Sequence, residues 1–408
     1  MTSRKEICVD SLAVVLQEKT RALKVCLISP LGYGLYNPES GMPFGGAEVQ
    51  FYLLASALAS DPAYSVSVLT TVDENAGVEA CGELKVIKRQ GQRRTELKSK
   101  RGFLNRVKHV WSYLEAFMEM RQQFIKIDAD IYLHAGAGVE VGAYGLICRL
   151  LRRRFLLFIA SSADLWEPYG KVEGPLKWLF PLGIRLAHEV VCRSTEQQDR
   201  LQDQYGRRGV LIRTGHPCPP TRDVAKSYVL WVGRGNPLKQ PEMFLELAAR
   251  MPQQRFMMVV AHENAHFDLL QRVRARAARL SNLELYEDVS WREIDTYFAR
   301  ARVFVNTSKY EGFPNTFVQA ALSATPVVSL LVDPDGVLGR QQIGVCAGGD
   351  FDRLLELTKG LLADSEAIAS LGRRARSYAL ANHGLDKVTG DLKYLIGTLI
   401  GQPEGVPR

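Results

Sequence analysis

Glu311 places a carboxylate between a strand-like apolar run and the start of an apolar helix. The run covers residues 303–307, and Pro314 stands where proline suits the first turn of a helix. The free backbone amides near Asn315 and Thr316 can hold an anion. We therefore predict a ligand site at this joint, with Glu311 as a hydrogen-bonding group. The alternative is that Glu311 only caps the helix N-terminus.

Two basic residues follow a second strand-like run, residues 228–234. Arg234 ends this run, and Lys239 follows in the next loop beside the start of a helix. Two fixed cations at a helix N-terminus are suited to a pyrophosphate, and the alternative is a pair of solvent-exposed side chains. Gln319 comes eight residues after Glu311, two turns into its helix, where it could meet a ribose diol or lie on the surface.

Short apolar runs alternate with helical patterns along most of the chain, and the rhythm restarts after residue 227. The strand-like runs are 23–30, 65–71, 130–136, 154–162 and 189–194, then 228–234, 255–261, 283–289, 303–308 and 326–331. Helical patterns cover 45–60, 103–124, 240–251, 265–280, 292–301 and 313–324. Strands that alternate with helices form parallel sheets through βαβ crossovers. The sequence thus predicts an α/β fold with two Rossmann-like, doubly wound domains facing each other across a cleft.

The proline-rich segment 214–227 separates the two series of alternating strands and helices and is interpreted as the interdomain linker. We predict an N-terminal, acceptor-side domain over 1–220 and a C-terminal, donor-binding domain over 221–385. A chain of 408 residues exceeds what one ordinary core accommodates, which also favours two domains.

The composition is that of a globular chain without a transmembrane segment or a disulfide framework. No apolar run reaches the ~18 residues that span a bilayer, and the N-terminal apolar stretch is too short for a signal peptide. Seven scattered cysteines without a CxxC spacing predict reduced thiols, and with them a cytoplasmic protein.

The net charge of +8 is concentrated in one segment. Residues 85–108 hold ten basic residues and one acidic residue, Glu96, which predicts either a solvated loop or a surface for anionic lipid headgroups. Nucleic acid is not expected as a partner, because no helix-turn-helix, zinc finger or aromatic-basic strand motif accompanies the charge. An adjoining helical stripe is predicted to pack on a core; it consists of Phe103, Val107, Val110, Trp111, Leu114 and Phe117.

Taken together, these motifs resemble a known enzyme family. "VGRGNPLKQPE" (232–242) and "EGFPNTFVQAALSATPVVS" (311–329) look like the donor domain of family 4 retaining glycosyltransferases of GT-B fold. The signature of that family is two Glu separated by seven residues, with a preceding Gly-Arg…Lys loop. "GGAEVQFYLLASAL" (45–58) resembles the glycine-rich turn and first helix of their N-terminal domain. The C-terminal helix, about 386–408, resembles the closing helix that packs back on the first domain.

The resemblance implies a role for each matching residue. Arg234 and Lys239 would neutralise the leaving diphosphate, and Glu311 would hydrogen-bond the donor sugar. Gln319 stands where the family has Glu, so its bond to a ribose hydroxyl would lack charge assistance. Base selectivity would come from contacts near Val289. The implied donor-binding residues are Gly45, Gly46, Gly233, Arg234, Lys239, Val289, Glu311, Gly312, Phe313, Pro314, Asn315, Thr316 and Gln319.

The family often has a His after the strand that here is 130–136, and His134 is the candidate for it. Asp164 follows the next strand-like run, 154–162, and could orient the acceptor hydroxyl or take its proton. The alternative for His134 is a core or loop histidine, and for Asp164 an exposed loop position. The Asp-x-Asp patterns at 128–130 and 333–335 are interpreted as turns, so neither a metal nor another cofactor is expected. The predicted catalytic set is Glu311, Arg234, Lys239, His134 and Asp164, with a nucleotide-diphosphate sugar as co-substrate.

The sequence as a whole predicts a retaining, metal-independent glycosyltransferase of the hexosyltransferase class in bacterial polysaccharide or cell-envelope synthesis. Its acceptor is expected to be a lipid-linked or growing glycan, and segment 85–108 could bring the protein to the inner face of the cytoplasmic membrane. Two alternatives stay open. One is a catalytically inactive sugar-nucleotide-binding protein, which the Gln319 departure favours. The other is a nucleotide-sugar epimerase, for which too few carboxylates are well placed.

Overall fold

The computed structural model describes residues 21–73, 75–91, 103–165, 172, 174, 176–220 and 224–401, with the backbone alone for 103–110 and residue 264. The strands are β1 (Leu23–Ile28), β2 (Tyr64–Val72), β3 (Gly77–Cys81), β4 (Leu84–Gln90), β5 (Ile131–Ala135), β6 (Arg154–Phe158), β7 (Glu189–Cys192), β8 (Val210–Leu211), β9 (Tyr228–Arg234), β10 (Phe256–Ala261), β11 (Leu283–Glu287), β12 (Ala301–Asn306), β13 (Val327–Ser329) and β14 (Gly344–Cys346). The helices are α1 (Tyr33–Tyr36), α2 (Gly46–Ala59), α3 (Phe103–Ile127), α4 (Glu140–Leu150), α5 (Leu179–Leu186), α6 (Thr195–Tyr205), α7 (Pro241–Ala249), α8 (Phe267–Ala277), α9 (Ile294–Arg300), α10 (Asn315–Leu322), α11 (Val337–Arg340), α12 (Phe351–Ala363), α13 (Ser365–His383) and α14 (Leu385–Ile400).

Eight strands form the first sheet, in the order β3-β4-β2-β1-β5-β6-β7-β8. Neighbouring strands are parallel except β3, which runs antiparallel to β4. Along the central strand β1, Val25 and Leu27 belong to one hydrophobic cluster, and Cys26 and Ile28 to another. Successive side chains of a strand point to opposite faces, so both faces of this sheet are covered, as parallel sheets require.

Six parallel strands form the second sheet, in the order β11-β10-β9-β12-β13-β14. Its first strand repeats the two-sided burial: Val229 and Trp231 lie in one cluster, Tyr228 and Leu230 in the other. The strand order reverses between β9 and β12. In open α/β sheets the crevice beyond the carboxyl ends of the strands at such a reversal is the usual ligand site. Arg234 ends β9, and the loop that follows β12 carries Glu311.

We call the first sheet with α1–α6 and α14 the first unit, and the second sheet with α7–α13 the second unit. Helix α14 belongs to the first unit because Val388, Leu392 and Ile396 lie in the same hydrophobic cluster as Leu54 of α2. The chain therefore passes between the units twice, and the two passages meet where His216 pairs with Gly384 in an isolated parallel bridge. The boundary between residues 220 and 221 stays a prediction.

Helix α3 does not pack as the sequence pattern indicates. Trp111 is 64% exposed and Leu114 is 52% exposed, so the prediction that these residues face a core is wrong. The buried face is instead formed by Met120 and Phe124, with Phe117 packed beside them. Among the described side chains of α3, residues 111–127, those packed on the first sheet lie toward its C-terminus, and Phe117 is the member of the predicted stripe that packs there. The side chains of Phe103, Val107 and Val110 lie outside the described residues.

Much of the basic segment 85–108 lies outside the described residues. Its first part forms β4, where Lys88 pairs with Glu79 of β3. No helix in the described part of the chain has the length and apolarity needed to cross a membrane. The six described cysteines are free thiols.

Candidate functional site

The turn between β12 and α10 presents Glu311 and an open helix start. Pro314 is the residue that caps α10, with φ −62° and ψ 131°. Its ψ is extended and proline disfavours helical geometry at the residue before it, so the helix begins at Asn315. The backbone amides of Asn315 and Thr316 have no hydrogen-bond partner within the described chain. A helix start with unsatisfied N–H groups and a positive dipole end attracts anions.

Lys239 reaches this turn from the loop after β9 and forms an ion pair with Glu311. Both side chains are largely buried, with 23% and 17% of their surface exposed. The loop is held in place by Asn236, whose Oδ1 accepts the amides of Leu238 and Lys239 at 3.1 Å each. The hydroxyl of Thr307 also donates to the carbonyl of Lys239 at 2.6 Å. Residues from the loops after β9 and β12 therefore fix the cation beside the carboxylate.

Arg234 stands at the carboxyl end of β9 and remains half exposed. Its Nη1 lies 3.7 Å from Oε2 of Glu263. The same oxygen accepts a hydrogen bond from the side-chain Nδ2 of Asn236 at 2.7 Å. A guanidinium has five N–H donors, and the contact of Arg234 with Glu263 is longer than a hydrogen bond. Arg234 therefore retains donors for an anion. Glu263, which helps to orient it, was not identified from the sequence.

The glycine turn before α2 brings the first unit against these groups. A Cβ at Gly45 would lie 3.9 Å from Nη1 of Arg234, and one at Gly46 would lie 3.1 Å from Nδ2 of Asn315. Nδ2 of Asn315 donates to the carbonyl of Gly46 at 3.0 Å. The amide of Gly45 donates to Glu48 at 2.9 Å, so a contact from this amide to a bound phosphate would require that bond to break. The two units thus approach each other at the predicted anion site.

Gly312 and Phe313 also connect the units. A Cβ on Gly312 would lie 2.8 Å from the carbonyl oxygen of Ala160. The backbone at Gly312 therefore lies directly against the backbone of the first unit. Phe313 is buried in the second unit's core, and its carbonyl accepts the hydroxyl of Thr214 at 3.2 Å. Its carbonyl is thus engaged, and a ligand contact from its backbone would come from the amide.

Gln319 is not a surface residue, since only 8% of it is exposed. Its Nε2 donates to Oδ1 of Asp295 at 3.0 Å. Asp295 lies in the first turn of α9, and no motif in the sequence marked it. Val289, the residue predicted to lie near the base, is half-buried against the second unit's core. Gly233 lies against Trp231, and a Cβ on Gly233 would lie 2.8 Å from the Trp231 ring.

His134 is buried at the end of β5, as its structural alternative predicts. Its Nδ1 donates to the carbonyl of Ile28 at 3.1 Å, and its ring meets Tyr144 edge-on at 5.1 Å. Burial holds the pKa of His134 below its usual value, although the nearby carboxylate of Glu140 opposes this. His134 is therefore a neutral imidazole whose Nε2 is the acceptor.

Asp164 is fully buried, which excludes the exposed loop position. Its Oδ2 accepts the amides of Ala160 and Ser161 at 3.0 Å each. The carboxylate therefore fixes the loop after β6, the loop that Gly312 contacts. The predicted action of Asp164 on an acceptor stays a prediction, and the geometry adds a positioning role.

The two Asp-x-Asp patterns bind backbone and basic side chains. Asp335 accepts the amides of Thr195 and Glu196, at 3.1 and 3.0 Å, and so caps α6 of the first unit. Asp333 accepts the amide of Leu338 at 2.9 Å, and burial raises its pKa. In the first pattern, 128–130, the carboxylates pair with basic side chains of the same unit. Across the described ranges, no three His, Cys, Asp or Glu side chains are grouped so as to hold a metal ion.

Comparison with known sequences supports the interpretation of the second unit as a glycosyltransferase domain. Residues 226–364 match the family model described as glycosyl transferases group 1. The D-inositol 3-phosphate glycosyltransferase of Mycolicibacterium paratuberculosis is 27% identical over 194 residues. This match spans 44% of the present chain and 43% of the relative, so less than half of either chain is compared.

Solved structures of glycosyltransferases share the fold over nearly the whole chain. Sucrose-phosphate synthase from Thermosynechococcus elongatus superposes with a TM-score of 0.73 at 17% identity, covering 92% of this chain and 99% of that one. Anabaena HepE in complex with UDP and glucose superposes with a TM-score of 0.67 at 14% identity, covering 92% and 100%. The predicted GT-B architecture, an α/β fold with two parallel-sheet units, is confirmed. Membership of family 4 stays a prediction.

Proposed function

We propose that this protein is a retaining glycosyltransferase that moves a sugar from a nucleoside diphosphate to an acceptor hydroxyl. The observation that carries the proposal is the convergence of Arg234, the Lys239–Glu311 pair and the start of α10 opposite the Gly46 turn. The group 1 family match over 226–364 supports the same class. The two-domain division at residue 220 and the cytoplasmic location are parts of this proposal.

The diphosphate lies against Arg234, Lys239 and the free amides of Asn315 and Thr316. When the bond between the sugar and the β-phosphate oxygen breaks, its electron pair stays on that oxygen and the sugar gains oxocarbenium character. The acceptor oxygen forms the new bond to the sugar, and its proton passes to the oxygen of the departing diphosphate. Because the cations and amides are already in place, they stabilise the developing charge without reorganisation. No metal is needed for this neutralisation.

Glu311 holds a donor-sugar hydroxyl. Lys239 can contact the diphosphate while remaining beside Glu311, because an ammonium has three donors. The carboxylate then keeps an oxygen for the sugar, next to the bond that breaks. The donor is a nucleoside diphosphate sugar, in line with the UDP and glucose bound in HepE.

The acceptor is a lipid-linked or growing glycan, and the first unit meets the membrane surface. Support comes from the basic segment 85–108 and from the exposed Trp111 and Leu114 of α3, because apolar side chains beside basic ones bind anionic lipid surfaces. Binding to phosphatidylglycerol vesicles should weaken as salt rises. If the protein binds neither anionic nor neutral vesicles, this part of the proposal is wrong.

A second candidate is a sugar-nucleotide-binding protein without turnover. It is favoured by Asp164, whose Oδ2 is engaged by two backbone amides, and by the buried His134. An epimerase would share the nucleotide site but return an isomer of the sugar. Product analysis separates the three cases.

The test is to incubate the protein with UDP-, GDP- and ADP-sugars and to measure release of the nucleoside diphosphate. We expect slow hydrolysis by the wild type and its loss in Glu311→Ala. Glu284→Ala is the matched control, because Glu284 lies near the amino end of β11, away from the cleft. Binding without turnover would favour the second candidate, an epimer would favour the third, and full activity of Glu311→Ala would contradict the role of Glu311.

A further inference from the structure

Asp295 brings a carboxylate to the cleft face of α10. Asn315 and Gln319 are four residues apart on this helix, so they share one face. Asn315 points across the cleft, since its Nδ2 donates to the carbonyl of Gly46 in the first unit. Gln319 continues this face and donates to Asp295 at 3.0 Å. The pair therefore lies one turn deeper in the cleft than the anion-binding helix start.

The pair retains two acceptor oxygens. Oδ1 of Asp295 is used by Gln319, and Nε2 of His216 lies 3.9 Å from that same oxygen, too far for a hydrogen bond. Among the described residues, no donor binds Oδ2 of Asp295 or Oε1 of Gln319. The Asp295 side chain is 29% exposed, so a ligand can reach it.

We propose that Asp295, oriented by Gln319, is a further residue that binds the vicinal hydroxyls of the donor's ribose. The inference rests on the proposed function, in which the diphosphate lies at the start of α10. Four residues of helix separate the two positions by about 6 Å along the axis, a span that a ribose attached to the phosphate can bridge. Oδ2 of Asp295 accepts one hydroxyl and Oε1 of Gln319 accepts the other.

This arrangement supplies the charge that an amide at position 319 lacks. A hydroxyl bound to a carboxylate makes a charge-assisted hydrogen bond, roughly twice as strong as a neutral one. Here the carboxylate comes from the neighbouring helix α9, and Gln319 orients it through the bond to Oδ1. Asp295 is thus a residue that binds the nucleotide and favours ribose over deoxyribose.

The proposal is tested by calorimetric titration with UDP, GDP and ADP, followed by the 2′,3′-dideoxy form of whichever binds. We expect Asp295→Asn to weaken binding of the ribonucleotide by about tenfold to a hundredfold, the range of one charged hydrogen bond. Binding of the dideoxy form should be the same in wild type and variant. Equal losses for both nucleotides would mean that Asp295 is only structural, and no loss for either would overturn the proposal. If the wild type binds none of the three, the proposed function itself fails.

Gln319→Glu is an independent test, because this proposal and the family resemblance predict opposite effects on nucleotide binding. The new carboxylate would face Oδ1 of Asp295 across the 3.0 Å that now separates it from the amide. Two carboxylates at that distance repel, and one of them is forced to hold a proton. We expect Gln319→Glu to bind the ribonucleotide more weakly than the wild type at pH 7. Tighter binding would show that Asp295 does not supply the charge.

Discussion

Replacing Gly312 by alanine should separate the two units. The added Cβ would lie 2.8 Å from the carbonyl oxygen of Ala160 and 3.0 Å from Nε2 of Gln197, both in the first unit. Ala160 cannot retreat easily, because its amide is bound by Asp164 at 3.0 Å. Gln197 is also fixed, since its Oε1 accepts a backbone amide of the same unit at 2.8 Å.

The size of the effect follows from this contact. A carbon atom approaches a carbonyl oxygen to about 3.3–3.6 Å in folded proteins, so the units must move apart by roughly half an ångström or more. Overpacking of this kind costs about 1–3 kcal/mol. The movement would also draw Arg234 away from Gly45, so we expect weaker binding of a nucleoside diphosphate as well.

The assay is denaturant unfolding, together with small-angle scattering to detect opening of the cleft. Gly390→Ala in α14 is the matched control, because a Cβ there has no atom within 4 Å. Replacing a helix glycine by alanine where there is room for the Cβ should stabilise the protein by about 0.5–1 kcal/mol. The two substitutions should therefore change the free energy of unfolding in opposite directions. If Gly312→Ala is as stable as the control and its scattering curve is unchanged, the close approach of the units at Gly312 is wrong.

Two further predictions concern the junction between the units. Asp335→Asn should lower the free energy of unfolding by about 1–2 kcal/mol, because two carboxylate oxygens accept two amides of α6 and an asparagine side chain has only one acceptor. Asp350 accepts a single amide within the second unit, so Asp350→Asn should not change the scattering curve, whereas Asp335→Asn should open the cleft. Equal curves would contradict the bridging role. Burial lowers the pKa of His383 to about 4. Below pH 6.5 the unfolded chain therefore binds a proton at this residue that the folded chain does not bind, and the free energy of unfolding should fall by up to about 3 kcal/mol as the pH drops from 6.5 to 4. Denaturant unfolding at pH 7 and pH 5 should show a smaller fall for His383→Phe than for the wild type, and equal falls would contradict the assignment.

The central strands were predictable because their apolar runs are long and buried on both faces. The run 228–234 coincides with β9, and 255–261 contains β10. The hairpin of β3 and β4 was missed, because at the sheet edge its strands carry polar and basic residues. The same charges in 85–90 indicated a loop or a lipid surface, whereas Lys88 in fact pairs with a neighbouring strand.

Part of the site was predictable because it is local in sequence. Arg234 ends β9, and Lys239 and Glu311 lie in the loops after β9 and β12, which the reversal of strand order brings together. The partners of these groups were not predictable, since they depend on which elements meet across long distances. Asp295 beside Gln319 is one such contact.

Contacts between the units were the least predictable part. The pattern at 333–335 was interpreted correctly as a turn, but nothing local indicates that Asp335 caps a helix of the other unit. Similarly, the sequence predicted the amphipathic character of α3 but not which part of it packs on the sheet.

The most direct test of the account is whether a diphosphate binds at Arg234 and Lys239. Titration of a nucleoside diphosphate and of its nucleoside into wild type, Arg234→Met and Lys239→Met provides it. Arg255→Met is the control, because Arg255 precedes β10 and so lies at the amino ends of the same strands, away from the cleft. We expect each of the two cleft variants to lose about tenfold or more in affinity for the diphosphate, and Lys239→Met to lose more because it leaves Glu311 uncompensated, while the control is unchanged. Undiminished diphosphate binding by both cleft variants would contradict the account.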